Sequence, residues 1–146
     1  MSTENVATTV SLVCAACQER RLLGKPALSL AKAECGQVQV KLALAAAQEL
    51  DYRGTVRSSI IYDLIETAQQ VGAVSVGVEA ETLNFCCNIV KHTAAQELQA
   101  VCKICHHGRM TLVAETEVYD ENDELLATAL TTLFVVAAIK EIPRIW

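Results

Sequence analysis

Aromatic residues are scarce in this 146-residue chain: two Phe, three Tyr and one Trp, or 4% of the whole. That excludes a platform for single-stranded nucleic acid, which needs exposed rings over a basic groove. Positive charge is short as well. Twelve Lys and Arg against 17 Asp and Glu leave a net charge of −5, which excludes a general binder of phosphate backbones. A local basic spot for one small phosphorylated ligand stays open. Long apolar runs are missing: stretches such as Leu42–Ala47 and Leu133–Ile139 fall far below the roughly 20 residues of a spanning helix. The apolar patch near the N-terminus follows Glu4 and no Lys or Arg, the reverse of an export signal. We therefore expect a cytoplasmic chain whose seven cysteines are mostly reduced thiols.

What is abundant is aliphatic. The chain is 52% hydrophobic, enough to fill one core in a single domain spanning 1–146 and too much for disorder. Val6, Val10, Val13, Cys14 and Cys17 form a helical stripe, with Gly24 and Pro26 expected to end the helix, so that it occupies 1–25. From Ala27 the period changes to two. Leu28 and Leu30, a turn at Gly36, then Val38, Val40, Leu42 and Leu44 predict a hairpin with one buried face. Asp51–Thr55 is a turn around Gly54. Ile60, Ile61, Leu64, Ile65, Ala68 and Val71 predict a second helix over about Arg57–Gln70, with Gly72 stopping it. On a helical wheel Glu66 lies opposite this stripe, beside Tyr62, Gln69 and Gln70.

The remainder reads as strands. Val74–Phe85 is one. Glu97–Cys105 aligns Leu98, Ala100, Cys102 and Ile104, and Met110–Tyr119 aligns Leu112, Ala114, Thr116 and Val118. After an acidic turn at Asp120–Asp123, Leu125–Val136 is apolar on both parities, as a strand covered on both faces would be. Helix, hairpin, helix and four strands define an α+β chain with an antiparallel sheet.

Three segments resemble the hotdog-fold acyl-CoA thioesterases, in the phenylacetate-degradation and hydroxybenzoyl-CoA thioesterase group. The first is Gly54-Thr55-Val56-Arg57-Ser58-Ser59 and the helix through Ala68. The second is Leu83-Asn84-Phe85. The third runs from His107-Gly108-Arg109 through Glu115–Asp120 to Leu126–Ala129 and Phe134–Val136. The family shows His-Gly-Gly before an apolar helix, and its acidic residue falls where Glu66 stands. This chain departs from that pattern: Arg57 replaces His, Ser58 and Ser59 replace both glycines, and Asp51 stands where an Asn is frequent. The resemblance implies a hotdog core over 27–139, an antiparallel β-sheet wrapped around a central α-helix with an extra N-terminal helix. It also implies a homodimer, or a homotetramer built from two, in which a shared sheet uses the surplus of apolar residues.

Thioester hydrolysis needs a polarised carbonyl and an activated nucleophile. The unpaired N–H groups of Ser58 and Ser59, at a positive helix end, are candidates for the oxyanion site. Their Cβ atoms narrow the approach that glycine leaves open. The resemblance makes Glu66 general base or nucleophile, and its plain alternative is a surface carboxylate. Gln70 could orient that carboxylate or a water, and Asp51 could contribute across a dimer. Arg57 at the helix start calls for an anion, from Asp51, Asp63 or a ligand phosphate. By resemblance the turn His107-Gly108-Arg109, with Lys103 and Lys91, lies near the nucleotide of coenzyme A, the planar fork of Arg109 being suited to phosphate. No cofactor is expected beyond coenzyme A as part of the substrate. The scarcity of rings favours an aliphatic acyl group.

Two rival readings stand beside this one. The first is a non-catalytic module on the same fold that binds acyl-CoA or an acyl carrier; the altered His-Gly-Gly triplet is its support. The second uses the cysteines. Cys102-Lys103-Ile104-Cys105-His106 has the spacing of a haem-attachment motif, and Cys14 and Cys17 could join the pair as a Cys₄ zinc site. Against both, residues i and i+3 of a strand face opposite ways. No metal is expected. A regulator that reads DNA is the least favoured alternative, the first helix being too short for a helix-turn-helix.

Overall fold

The computed structural model describes residues 3–24, 27–44 and 50–142, with side chains from residue 10 onward. The element order is α1 (Thr3–Glu19), β1 (Leu28–Glu34), β2 (Gln37–Ala43), α2 (Ser58–Ser75), β3 (Val78–Ile89), β4 (Glu97–His107), β5 (Thr111–Asp120) and β6 (Leu125–Ala138). Every ladder is antiparallel, and the six strands run β1-β2-β4-β5-β6-β3 across one sheet. Helix α2 lies against this sheet and buries Ile61, Leu64, Ile65, Ala68 and Val71 on Leu98, Ala100, Cys102, Ile104, Leu112 and Leu133. This is the arrangement that the resemblance implies. Strand alternation chose the residues: the even positions of β2, β4 and β5 point at the helix because the side-chain period of a strand is two.

Five expectations are corrected. Helix α1 stops at Glu19, before Gly24, because Arg21 takes a left-handed φ of 58°. There the N–H of Leu22 reaches the Cys17 carbonyl and that of Arg21 the Gln18 carbonyl, a Schellman closure that satisfies the last carbonyls without glycine. Pro26 and the side chain of Val6 lie outside the described residues. Helix α2 passes through Gly72 and ends at Ser75, where Gly77 turns the chain with φ 88°. Val74 and Ser75 are therefore helical, and β3 begins only at Val78. Gly72 is a close approach rather than a stop: a Cβ there would stand 3.1 Å from Cys102 Sγ and 3.3 Å from Ile104 Cδ1.

Gln69 is fully buried, not on the outer surface beside Glu66. It follows Tyr62 by seven residues on nearly the same line of the helix. At that depth β6 covers it, and its Nε2 donates to Thr131 Oγ1. Finally, β6 is covered on one face only within one chain: Ala129, Thr131 and Leu133 are buried, but Leu130 is 52% exposed.

Candidate active site

The chain enters α2 on a fixed path. An antiparallel bridge joins Leu50 to Val56, and the Val56 N–H donates to the Thr93 carbonyl at 3.0 Å. Arg57 is the N-cap, extended at φ −61° and ψ 136°, with no side-chain cap hydrogen bond, and the first turn holds no acidic residue. Its carbonyl receives the N–H groups of Ile60 and Ile61 at 3.0 and 3.4 Å. The amides ahead of them, Ser58 and Ser59, head out of the helix end, where the aligned peptide dipoles leave partial positive charge. Arg57 folds back, and its Nε donates to the Leu50 carbonyl at 3.2 Å.

Two turns further on, Tyr62 and Glu66 project from α2 into a cavity of about 610 Å³, whose other wall is Thr82, Phe85 and Cys87 of β3. Tyr62 and Phe85 meet edge to face at 5.9 Å, so two of the chain's few rings stand beside the carboxylate. Glu66 is exposed. Thr82 was not among the candidates from sequence. Its Oγ1 is buried and has no hydrogen-bond partner among the described residues, an unmet polar demand at the cavity wall. The signal was present in strand parity: Ala80 and Thr82 alternate with Glu79 and Glu81, so a small hydroxyl falls on the helix-facing side.

The other candidates scatter. Gln70 does not share the Glu66 cavity; it lines a second one with Arg20, Leu22, Val74 and Ala80. Asp51 anchors its own turn. Its Oδ1 accepts the N–H groups of Arg53 and Thr55 at 2.8 and 3.1 Å, and its Oδ2 accepts the Thr55 hydroxyl at 2.9 Å. Those bonds, the Thr55 N–H and hydroxyl foremost, hold its carboxyl below the ordinary 3.8. Asp51 lines a third cavity with His92, apart from Glu66 within one chain. Ser58 also stands apart, eight residues or about 12 Å from Glu66 along the helix axis.

The proposed nucleotide-side residues lie at one end of the sheet. His107 closes β4, and the Gly108 N–H donates to the Thr111 carbonyl at 2.8 Å, so Gly108 and Arg109 form the turn into β5. Arg109 is exposed at this turn. Because Met110 accepts from Val135 and Val135 pairs with Ala80, the turn is two strands, about 10 Å, from the β3 wall of the second cavity. Lys103 is exposed farther back on β4, opposite Glu115. Lys91 is held by Glu124.

The cysteine motif is divided by the sheet: Cys102 is buried and Cys105 exposed. Burial pushes the Cys102 and Cys17 thiols up to about 12. Among the described residues no three His, Cys, Asp or Glu side chains gather as metal ligands, and no helix is long and apolar enough to cross a membrane.

No protein-family model and no curated protein matches the sequence. Solved structures do match. The PaaI protein of the Escherichia coli phenylacetic acid degradation operon superposes with a TM-score of 0.79 at 17% identity, over 92% of this chain and 98% of that one. A hypothetical thioesterase of Streptococcus pneumoniae TIGR4, solved with coenzyme A, gives 0.73 at 21% identity over 77% and 88%. A Streptococcus mutans UA159 protein bound to acetyl-CoA gives 0.73 at 25% identity over 77% and 91%. The chain has the hotdog fold of this thioesterase-like group.

Proposed function

We propose that the protein hydrolyses acyl-CoA thioesters, with Glu66 as general base and Thr82 holding the attacking water. The observation that carries this reading is the pairing of an exposed carboxylate with a buried hydroxyl that has no partner among the described residues, across one cavity. In the proposed step Glu66 takes a proton from water and the water oxygen bonds to the thioester carbon. The carbonyl oxygen gathers charge, which backbone N–H donors stabilise. The C–S bond then breaks, and the proton on Glu66 passes to the departing thiolate, leaving free acid and CoA.

One chain cannot complete this site. Donors and base must both lie about 3 Å from the reacting group, yet Ser58 and Glu66 are about 12 Å apart on one rigid helix. We therefore propose a homodimer in which two α2 helices run antiparallel about a two-fold axis. Each Glu66 then meets the Ser58 and Ser59 amides of the other subunit. The long free edge of β3, with Leu83 and Phe85 exposed, supports that placement of the interface. Asp51, committed to its turn in its own chain, would act as a scaffold for the helix start, and the Arg109 turn of the other subunit, which the two-fold places on the side of Glu66 away from the second cavity, would meet the nucleotide.

The test is thiol release from a panel of acyl-CoAs. Glu66→Ala should reduce turnover by about a hundredfold or more while circular dichroism and thermal unfolding stay near wild type. Unchanged turnover sinks the assignment. The Cβ atoms of Ser58 and Ser59 favour one second reading, a module that binds acyl-CoA without cleaving it. Tight binding with no free CoA would select that one.

A further inference from the structure

A second cavity lies beyond the one at Glu66. Glu66 and Thr82 belong to the first cavity; Gln70, one helical turn on, and Ala80, one strand repeat back, belong to a second of about 320 Å³. The two cavities therefore lie end to end between α2 and β3. The apolar half of the second cavity's lining is Leu22, Val74, Ala80 and Val136, and the other half is polar or charged. Val136 reaches it because the β3–β6 register slips between Glu79 and Ala80, leaving Val136 as the extra residue of β6, and such a bulge re-aims the side chains beside it. Arg20 and Leu22, from the turn after α1, line the second cavity as well. Arg20 Nε donates to Glu79 at 2.5 Å and Arg20 Nη1 to the Ala16 carbonyl at 3.0 Å, which pins that turn to β3 and seats Leu22 on the cavity.

Resting on the thioesterase reading above, we propose that the second cavity receives an aliphatic acyl tail. Leu22, backed by the Arg20–Glu79 pair, is the stop that sets the longest chain accepted. Charge argues against the CoA arm there. Arg20 is matched by Glu79 at 2.5 Å and has Glu19 at 3.7 Å, and Glu81 also lines the wall. This end is net negative and repels phosphates. Length sets the substrate class. Glu66 to Val74 is eight residues, about 12 Å of helix, which matches an extended chain of about eight to ten carbons.

The experiment compares kcat/KM for saturated acyl-CoAs from acetyl to palmitoyl in wild type, Leu22→Ala and Ala80→Leu, with folding checked by circular dichroism. Wild type should favour octanoyl- and decanoyl-CoA. Leu22→Ala should raise the palmitoyl-to-octanoyl ratio, and Ala80→Leu should lower the octanoyl-to-butyryl ratio, each by about tenfold. If Ala80→Leu fails to fold, the half-buried Leu22 decides alone. Acyl-CoA cleavage with an unmoved chain-length profile overturns the tail assignment and leaves the thioesterase reading standing. Wild-type protein that releases no thiol from any acyl-CoA overturns both.

Discussion

Replacing Gly72 by Ala sets two effects of known sign against each other. Within a helix, Ala is favoured over Gly by about 1 kcal/mol. At this position, however, the added Cβ would stand 3.1 Å from Cys102 Sγ and 3.3 Å from Ile104 Cδ1. Cys102 is 0% and Ile104 2% exposed, so neither has free volume to retreat into, and overpacking of this kind costs about 1–3 kcal/mol. The clash should win by about 1 kcal/mol, lowering Tm by about 2–4 °C in a chain of this size. Urea unfolding at fixed protein concentration should show a lower midpoint with an unchanged slope. Removing the sulfur should relieve the clash. In a Cys102→Ala background Gly72→Ala should cost less than in wild type, a coupling of about 1 kcal/mol. A rise in Tm for Gly72→Ala alone would mean that the helix-propensity gain prevails and that α2 does not sit this close to β4.

Two further outcomes follow from the electrostatics. The bonds that lower the Asp51 carboxyl in the folded chain contribute stability that is present above the unfolded value of about 4 and is lost as pH falls through the lower folded value. Asp51→Ala should thus be less stable than wild type at neutral pH, and thermal melts of the two should converge as pH falls through the lowered folded value; a gap constant with pH would contradict this. Among the thiols, Cys35, Cys86 and Cys105 are exposed, whereas Cys17 and Cys102 are buried and pushed up to about 12. Iodoacetamide labelling followed by mass spectrometry should modify the exposed three first and the buried two only under denaturant. Early labelling of Cys102 would contradict its place beneath Gly72.

Much of the fold was legible because strand periodicity depends on nothing beyond the strand. Leu98, Ala100, Cys102 and Ile104 alternate in the sequence and are all buried in the structure. Gly72 misled because glycine both ends helices and lets two surfaces touch, and only the sheet beneath it distinguishes the roles. Gln69 misled for a related reason: a helical wheel gives azimuth but not depth, so the line that is open at Tyr62 is covered by β6 one stretch further on. At the site, Glu66 and its neighbour Tyr62 were visible on one helix face. Thr82 was not, because its meaning depends on which cavity its hydroxyl meets. Gln70 lies one helical turn beyond Glu66 on nearly the same face and lines the next cavity along, and Asp51 is held in a third by the Asx bonding of its loop.

The proposed mechanism depends on a site shared between two subunits, and subunit mixing tests that directly. Ser58→Pro deletes one helix-end N–H at a position where Pro fits, since Arg57 before it is already extended. Glu66→Ala removes the base. Each variant alone should be nearly inactive toward acyl-CoA. Unfolded together and refolded, half of the dimers are mixed and each carries one intact site, so about a quarter of wild-type turnover should return. A mixture no more active than its two components would contradict the shared site and the proposed mechanism with it.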